Sequence, residues 1–306
     1  MEREALFRAY GKINLYLDVT GLLKNGYHKV EMVMQAISLH DTLGISIAEG
    51  KEAVEFRSSL KSLEDDGENT VLKALKIFKE ETGFRGTVSI DLEKRIPVAG
   101  GLGGGSSDGA ALLLAMDHLL GSRLSLDKLL SMAEKVGMDT PFLMLTQIKN
   151  WNFLRKELKE DERASYCALA TGTGTKLKPL SGIDSFVVTV TPDIQVSTEE
   201  IYKMTDREGI KNHPCLEGFL KGLKAGNHCE IKNNTGNVLE FFAAKKYPII
   251  VYTKNKMESL GEPLLVLMSG SGGTIFSLYE EEKDAQNAYE EMIKHYKCTN
   301  LTRTMI

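Results

Sequence analysis

Residues 12–19, "KINLYLDV", alternate strictly, with Ile13, Leu15, Leu17 and Val19 on one side and Lys12, Asn14, Tyr16 and Asp18 on the other. A period of two predicts a half-buried strand whose polar face carries Lys12 beside Asn14. "VEMVMQAISLHDTLGISIAE" continues in β-rich style to about residue 49. In "NTVLKALKIFKEETG" the period changes: Val71, Leu72, Leu75, Ile77 and Phe78 fall near one stripe, which predicts a helix stopped by Gly83. "TVSIDLEKRIP" returns to period two through Val88, Ile90 and Leu92. "SSDGAALLLAMDHLLG" predicts a helix closed by Gly121, and "SLDKLLSMAEKVG" another with Ser125 as N-cap and Gly137 past its end. Further on, strands are expected at "FVVTVTP", "PIIVYTK", "LLVLMS" and "TIFSLY", and a helix at "EEEKDAQNAYEEMIKHY". Residues 143–166 break this rhythm, with a charge-dense middle and neither a strand pattern nor an apolar stripe. The expectation there is an exposed, partly helical, mobile excursion, because so charged a stretch buries too little to offset chain ordering. Strands and helices mix without regular βαβ alternation, so the predicted fold class is α+β in two lobes, joined between about 145 and 180.

Composition narrows the class. With 306 residues, 42% hydrophobic and 26% charged, the chain reads as a soluble globular protein of one large domain or two of medium size. A net charge of −4 and the lack of any lysine or arginine block give no reason to expect nucleic acid. Cys167, Cys215, Cys229 and Cys298 form no CxxC pair and no metal-ligand spacing, which predicts free thiols in a reducing compartment. No apolar run approaches the roughly 20 residues of a membrane span, and the N-terminus lacks a signal-peptide stretch. The expectation is a cytoplasmic protein with no membrane or nucleic-acid partner, monomeric or weakly dimeric.

Candidate chemistry concentrates in "IPVAGGLGGGSSDGAALLLAMDHLL", residues 96–120, where six of 25 residues are glycine. Each glycine costs about 0.5–1 kcal/mol relative to alanine in a regular element, so some use must offset the loss. Glycine backbones can approach a ligand closely and turn several N–H groups one way. A helix N-terminus directly behind them adds its dipole, and together they make an anion site suited to phosphate. Ser106 and Ser107 are candidates to cap that helix and to offer hydroxyls to phosphate or a metal. A Walker A loop is excluded because Ser106 stands where lysine is required, and GxGxxG fails because its last position also falls on Ser106. On these residues alone, a glycine turn that merely lets a helix pack tightly stays open.

Further segments carry a resemblance. "IPVAGGLGGGSSDGAALLLA" resembles the P-x3-G-L-G-x2-S-S phosphate loop of the GHMP kinase superfamily, which binds ATP without a Walker lysine. "GKINLYLDVTGLLKNGYHKVEMVMQAISLHD" is similar to the N-terminal motif of one branch, which phosphorylates a cytidine diphosphate-linked methylerythritol in the non-mevalonate isoprenoid route. "GMDTPF" resembles that branch's GADVPFF segment, "ALATGTGTKLKPL" its domain junction, and "LMSGSGGTIFSLY" its C-terminal glycine motif. The order is kept across nearly the whole chain.

The resemblance implies a two-lobed fold, with a ribosomal-S5-like ATP-binding lobe over 1–160 and a ferredoxin-like lobe over 161–306. It implies transfer of the ATP γ-phosphoryl, with Mg²⁺, to a hydroxyl. Asp139 matches the catalytic base and Lys12 its partner lysine. Lys94, Pro97, Gly101, Gly103, Gly104, Gly105, Ser106 and Ser107 match the nucleotide side. Asn14, Tyr27, His28, Thr198 and Tyr202 match the acceptor side, where aromatic rings sandwich cytosine and His28 hydrogen-bonds its edge. No metal ligand is assigned. Three departures stand out. Residues 144–166 intrude where the family has a short connection, which implies that they could displace Asp139 or shut the acceptor pocket. Ser269–Thr274 replaces SGSGPT with a looser turn, and Met138 and Thr140 flank the aspartate in place of alanine and valine.

Overall fold

A computed structural model describes residues 3–24, 26–48, 50–64 and 69–306. The chain divides into two compact units, each assembled from separated stretches: residues up to 11, 40–98 and 103–165 form the first, and 12–39, 99–102 and 166–306 the second.

Strand β1 (Arg3–Leu22) starts in the first unit and β2 (His28–Ala48) ends there, followed by β3 (Ala53–Ser58), α1 (Thr70–Thr82) and β4 (Thr87–Glu93). β2 runs antiparallel to β4 from Thr42↔Glu93 to Ala48↔Thr87, and β3 lies parallel to β4 with α1 as the crossover. Asn69 caps α1 by accepting from the Val71 N–H, and Gly83 closes it in the left-handed region at φ 71°. The expected stripe is buried except for Leu72, whose place Ala74 takes. Helix α2 (Gly104–Leu120) is buried all round from Ser107 to Asp117, which suits its Ala, Leu and Gly content. Helix α3 (Leu126–Val136) is capped by Ser125, whose hydroxyl accepts from the Lys128 N–H.

The expectation of an exposed excursion over 144–166 is overturned. Helix α4 (Thr140–Asn150) is buried from Thr140 to Ile148. Trp151, only 4% exposed, packs against Phe7 (ring centroids 5.1 Å apart) and stacks on Phe153, and its Nε1 donates to the Arg8 carbonyl at 3.1 Å. The short helix α5 (Lys156–Lys159) buries Leu158, and Leu154 is buried ahead of it. Trp151, Leu154 and Leu158 make an apolar stripe that the surrounding charges conceal in the sequence. Those charges pair with one another: Arg163 forks onto Asp161 and reaches Asp127, and Arg155 reaches Asp117.

In the second unit, the first half of β2 pairs antiparallel with β5 (Cys167–Gly172), which pairs with β6 (Lys176–Pro179). A second sheet follows the order β10-β7-β9-β8, all antiparallel, built from β7 (Phe186–Val190), β8 (Leu265–Met268), β9 (Ile275–Tyr279) and β10 (Thr299–Arg303). Between β7 and β8 run α6 (Thr198–Glu208), α7 (Leu216–Ala225), α8 (His228–Asn234), α9 (Val238–Lys246) and α10 (Ile249–Glu258), and α11 (Glu282–Met292) precedes β10. The α+β class therefore holds. "PIIVYTK" is not a strand but the start of α10: Ile250, Thr253 and Met257 are buried at helical spacing while Val251 and Tyr252 are exposed. Here tertiary burial overrides the β-branched propensity.

The half-buried reading of residues 12–19 is also corrected. Lys12, Asn14, Tyr16 and Asp18 are 3%, 1%, 1% and 4% exposed, so both faces of this strand are covered. Their polar atoms are satisfied, as burial requires: Lys12 Nζ donates to Asn14 Oδ1 (2.6 Å), the Tyr16 hydroxyl donates to the Pro214 carbonyl (2.9 Å), and His213 Nδ1 meets Asp18 at 2.7 Å. Burial, reinforced by the Asp18 charge, pushes the Tyr16 phenol up. All four cysteines are free thiols, and burial pushes Cys167 up to about 12. Among the described residues no helix is long and apolar enough to cross a membrane.

Candidate functional site

Ala99–Leu102 belongs to the second unit and lies against the turn Ser269–Thr274. Ser269 Oγ donates to the Gly101 carbonyl (2.9 Å), and the Thr274 N–H donates to that of Gly100 (3.2 Å). Gly101 has φ 79°, and a Cβ there would come within 2.1 Å of the Ser269 carbonyl oxygen. Its glycine permits one backbone to press on another. Gly104 and Gly105 also serve packing: a Cβ would stand 3.0 Å from Ile96 Cγ2 in the first case and 2.9 Å from Thr70 Oγ1 in the second.

Gly103 is different. It is the N-cap of α2 at φ 74°, in the first unit, and gives that helix no side-chain cap. The N–H groups of the first turn thus leave the helix end without a capping side chain, with Gly105 exposed beside them. A left-handed glycine, an uncapped helix end and its positive dipole suit a phosphate group. Pro97 lies half-buried just ahead.

The serines divide. Neither caps α2, since both lie inside its first turn. Ser107 is fully buried; its hydroxyl donates to the Tyr10 carbonyl (2.6 Å) and accepts from Gln147 Nε2 (2.8 Å), so it faces inward rather than toward a ligand. Ser106 is half-buried, and a Cβ on Gly137 would stand 3.4 Å from its Oγ. That glycine brings the α3–α4 connection, and with it Asp139, close to the start of α2.

Lys94 departs from the expected nucleotide contact. Its side chain is 3% exposed, and Nζ donates to Asp41 (2.5 Å) and Asp108 (2.8 Å). Asp41 Oδ1 also accepts the N–H groups of Arg95 (2.6 Å) and Ile96 (2.8 Å). Burial alone would lower the Lys94 pKa, but the Asp108 and Asp41 carboxylates outweigh it and hold it up. Burial pushes Asp108 well up, offset only in part by Lys94 and reinforced by Asp41. One ammonium serves two buried carboxylates. Neither aspartate was expected from the sequence; their only signal is position, at the ends of "ISLHD" and "SSD".

Asp139 is the N-cap residue of α4 at φ −82°, and its side chain makes no capping hydrogen bond. In the second unit, the Lys12 N–H donates to the Leu102 carbonyl (2.9 Å), and Lys12 Nζ meets Asn14. Lys12, Asn14 and the 99–102 stretch are thus brought together.

The acceptor-side residues converge in the same unit. The His28 ring lies 4.6 Å from that of Tyr202, tilted by 35°, and His28 Nε2 is 2.8 Å from Asp206 Oδ1. Tyr202 and Asp206 stand four residues apart on α6, hence on one face. Tyr27 is exposed next to His28, and the Thr198 hydroxyl is 2.7 Å from Ser271 Oγ. Asp206 and Ser271 were missed; the i, i+4 spacing from Tyr202 is the signal that points to Asp206. Among the described residues no group of three His, Cys, Asp or Glu side chains converges as a metal site. Mg²⁺ in phosphoryl transfer commonly relies on one or two protein oxygens plus the phosphates, which such a site can supply.

Residues 69–147 match the GHMP kinases N-terminal domain, and residues 219–298 match the GHMP kinases C-terminal domain. The chain is 36% identical over 301 residues to the 4-diphosphocytidyl-2-C-methyl-D-erythritol kinase of Clostridium kluyveri, covering 98% of this chain and 100% of that protein. A crystal structure of 4-(cytidine 5'-diphospho)-2C-methyl-D-erythritol kinase superposes with a TM-score of 0.77 at 30% identity, covering 99% of both chains. Homoserine kinase from Cytophaga hutchinsonii shares the fold, with a TM-score of 0.66 at 17% identity over 100% of this chain and 95% of that one.

Proposed function

The chain belongs to the GHMP kinase family, and from that premise we propose that it phosphorylates the 2-hydroxyl of 4-diphosphocytidyl-2-C-methyl-D-erythritol with ATP, in the non-mevalonate route to isoprenoid precursors. The observation that carries the choice of substrate is the His28–Tyr202 ring pair beside exposed Tyr27. It offers a base something to stack on, worth roughly 1–3 kcal/mol per base. Homoserine and mevalonate carry no base.

Phosphoryl transfer asks for alignment, charge neutralisation and a group to take the hydroxyl proton. In this reading Asp139 takes the proton and Lys12 steadies the hydroxyl and the transferred group. Asn14 fixes the lysine, as their 2.6 Å hydrogen bond suggests. The open N-terminus of α2, from Gly103 to Ser106, holds phosphate oxygens. Mg²⁺, when bound, neutralises the phosphates, and Ser106 is the hydroxyl best situated to share in holding it. Lys94 supports the loop from beneath. The protein is then a cytoplasmic enzyme, monomeric or weakly dimeric, with no membrane or nucleic-acid partner.

A silent nucleotide-binding homologue is the rival. Burial of α4 and Trp151 counts against it, because the stretch after Asp139 packs inward instead of lying loose over a pocket. Purified protein with ATP should make ADP from the cytidine substrate and none from homoserine or mevalonate, with the product phosphate at the 2-oxygen by ³¹P NMR. Turnover of homoserine or mevalonate instead, or of no acceptor at all, would overturn the proposal.

A further inference from the structure

We infer that Asp206 sets the tautomer of His28 and, through it, the preference of the base pocket for cytidine over uridine nucleotides. The inference rests on the cytidine reading above and adds a residue that acts on it.

An ionised carboxylate can only accept hydrogen bonds, so the 2.8 Å contact places the imidazole proton on Nε2. In the neutral ring the other nitrogen, Nδ1, is then an acceptor. The ring is fixed twice by one helix: Tyr202 lies against its face at 4.6 Å, and Asp206, one turn later on α6, holds its Nε2 edge. The His28 side chain is 17% exposed against 49% for Asp206, so the pair runs from a largely covered ring to a carboxylate at the surface. The carboxylate is the part open to substitution without disturbing a core.

Cytosine and uracil differ at the position such an acceptor reads. Cytosine presents an exocyclic amine, a donor, and uracil presents a carbonyl oxygen, an acceptor. Nδ1 as an acceptor pairs with the amine and opposes the carbonyl. Sites built around one hydrogen bond reject analogues strongly, because a desolvated polar group is left unpaired. Without Asp206 the ring can place its proton on Nδ1, and a donor there suits uracil. Asp206 is therefore a positioning residue, acting on the base only through His28.

The test uses the full-length enzyme labelled with ¹⁵N-histidine. Two-bond ¹H–¹⁵N correlation, with His28 assigned by loss of its signals in His28→Gln, reads the tautomer before any ligand is added. The parent should show a protonated Nε2 and a bare Nδ1. Asp206→Ala should give a mixture, and Asp206→Glu should restore the parent pattern. Calorimetry with CMP and UMP then measures preference, and Asp206→Ala should compress it by about tenfold or more. In turnover of the cytidine substrate, KM should rise about tenfold with kcat within about twofold, as for loss of binding shared by ground and transition states. Asp206→Asn, close to isosteric and able to donate to Nε2, should shift the ring toward Nδ1–H. A protonated Nδ1 in the parent, or an unchanged CMP-to-UMP ratio in Asp206→Ala, overturns the inference while leaving the kinase reading intact. A parent with the expected tautomer that binds neither CMP nor the cytidine substrate overturns the cytidine reading, and the inferred preference falls with it.

Discussion

Asp139 stands where a helix would use a carboxylate as a cap, yet its side chain makes no capping bond. In the proposed reading this carboxylate is the base that takes the hydroxyl proton. Asp139→Asn should leave ATP affinity nearly unchanged by calorimetry and lower kcat by about 10²-fold or more. A second residue carries a different expectation. The folded-state pKa of Asp108 is raised above the ordinary aspartate value near 3.8. Its contribution to stability is therefore fully present below that value. As the pH rises further, the unfolded chain gives up the proton while the folded protein keeps it, and stability declines until the pH passes the folded pKa. Asp108→Asn lacks this titration. Thermal melts should show the variant gaining on the parent as the pH rises above the ordinary aspartate value, and a constant difference there would mean Asp108 ionises normally.

At the scale of elements, the start of α2 and the residues after α4 make opposite demands on substitution. Gly103 holds φ 74° at the N-cap, where a β-branched residue is both strained and in the way of a ligand. Gly103→Val should abolish measurable ATP binding while the protein stays folded by circular dichroism. Trp151 belongs to the core of the first unit, so Trp151→Ala should cost about 3–5 kcal/mol in denaturant titration. Its fluorescence should report a buried indole that reddens on unfolding. Replacing 144–166 by a short link removes the second half of α4 together with Trp151, Leu154 and Leu158, and should leave the chain unable to fold.

The whole molecule shows which parts of this order can be read along the chain. Caps and periods were legible because they are local: Ser125 at a helix start, Gly83 and Gly121 at helix ends, the alternation of β4. For the candidate site, the motifs point to Gly103, His28 and Tyr202, and the structure shows Gly103 at the start of α2 and the His28 ring beside Tyr202. What escaped depends on distant partners. Tyr16 and Asp18 look like a wet face until Pro214 and His213 cover them, and nothing next to Lys94 in the chain announces Asp41 and Asp108, which close on it. "PIIVYTK" reads as a strand until burial of Ile250, Thr253 and Met257 selects the helix. The same long-range dependence fixes how the protein comes apart. Residues 12–39 belong with 166–306, so a chain cut at 160/161 separates pieces of one unit. Neither 1–160 nor 161–306 expressed alone should unfold cooperatively in urea, whereas the intact chain should.

The pairing of Val30–Gln35 with Cys167–Gly172 also has a meaning during synthesis. A ribosome adding about 5–20 residues per second needs on the order of ten seconds to travel from the first of these strands to the second. Once the early strand leaves the exit tunnel, it waits a comparable time with the edge meant for β5 still bare, and bare edges invite pairing with other chains. Slowing translation between codons 40 and 166 should therefore lower the soluble yield of this protein. Raising the supply of a chaperone that shields nascent strands should restore it.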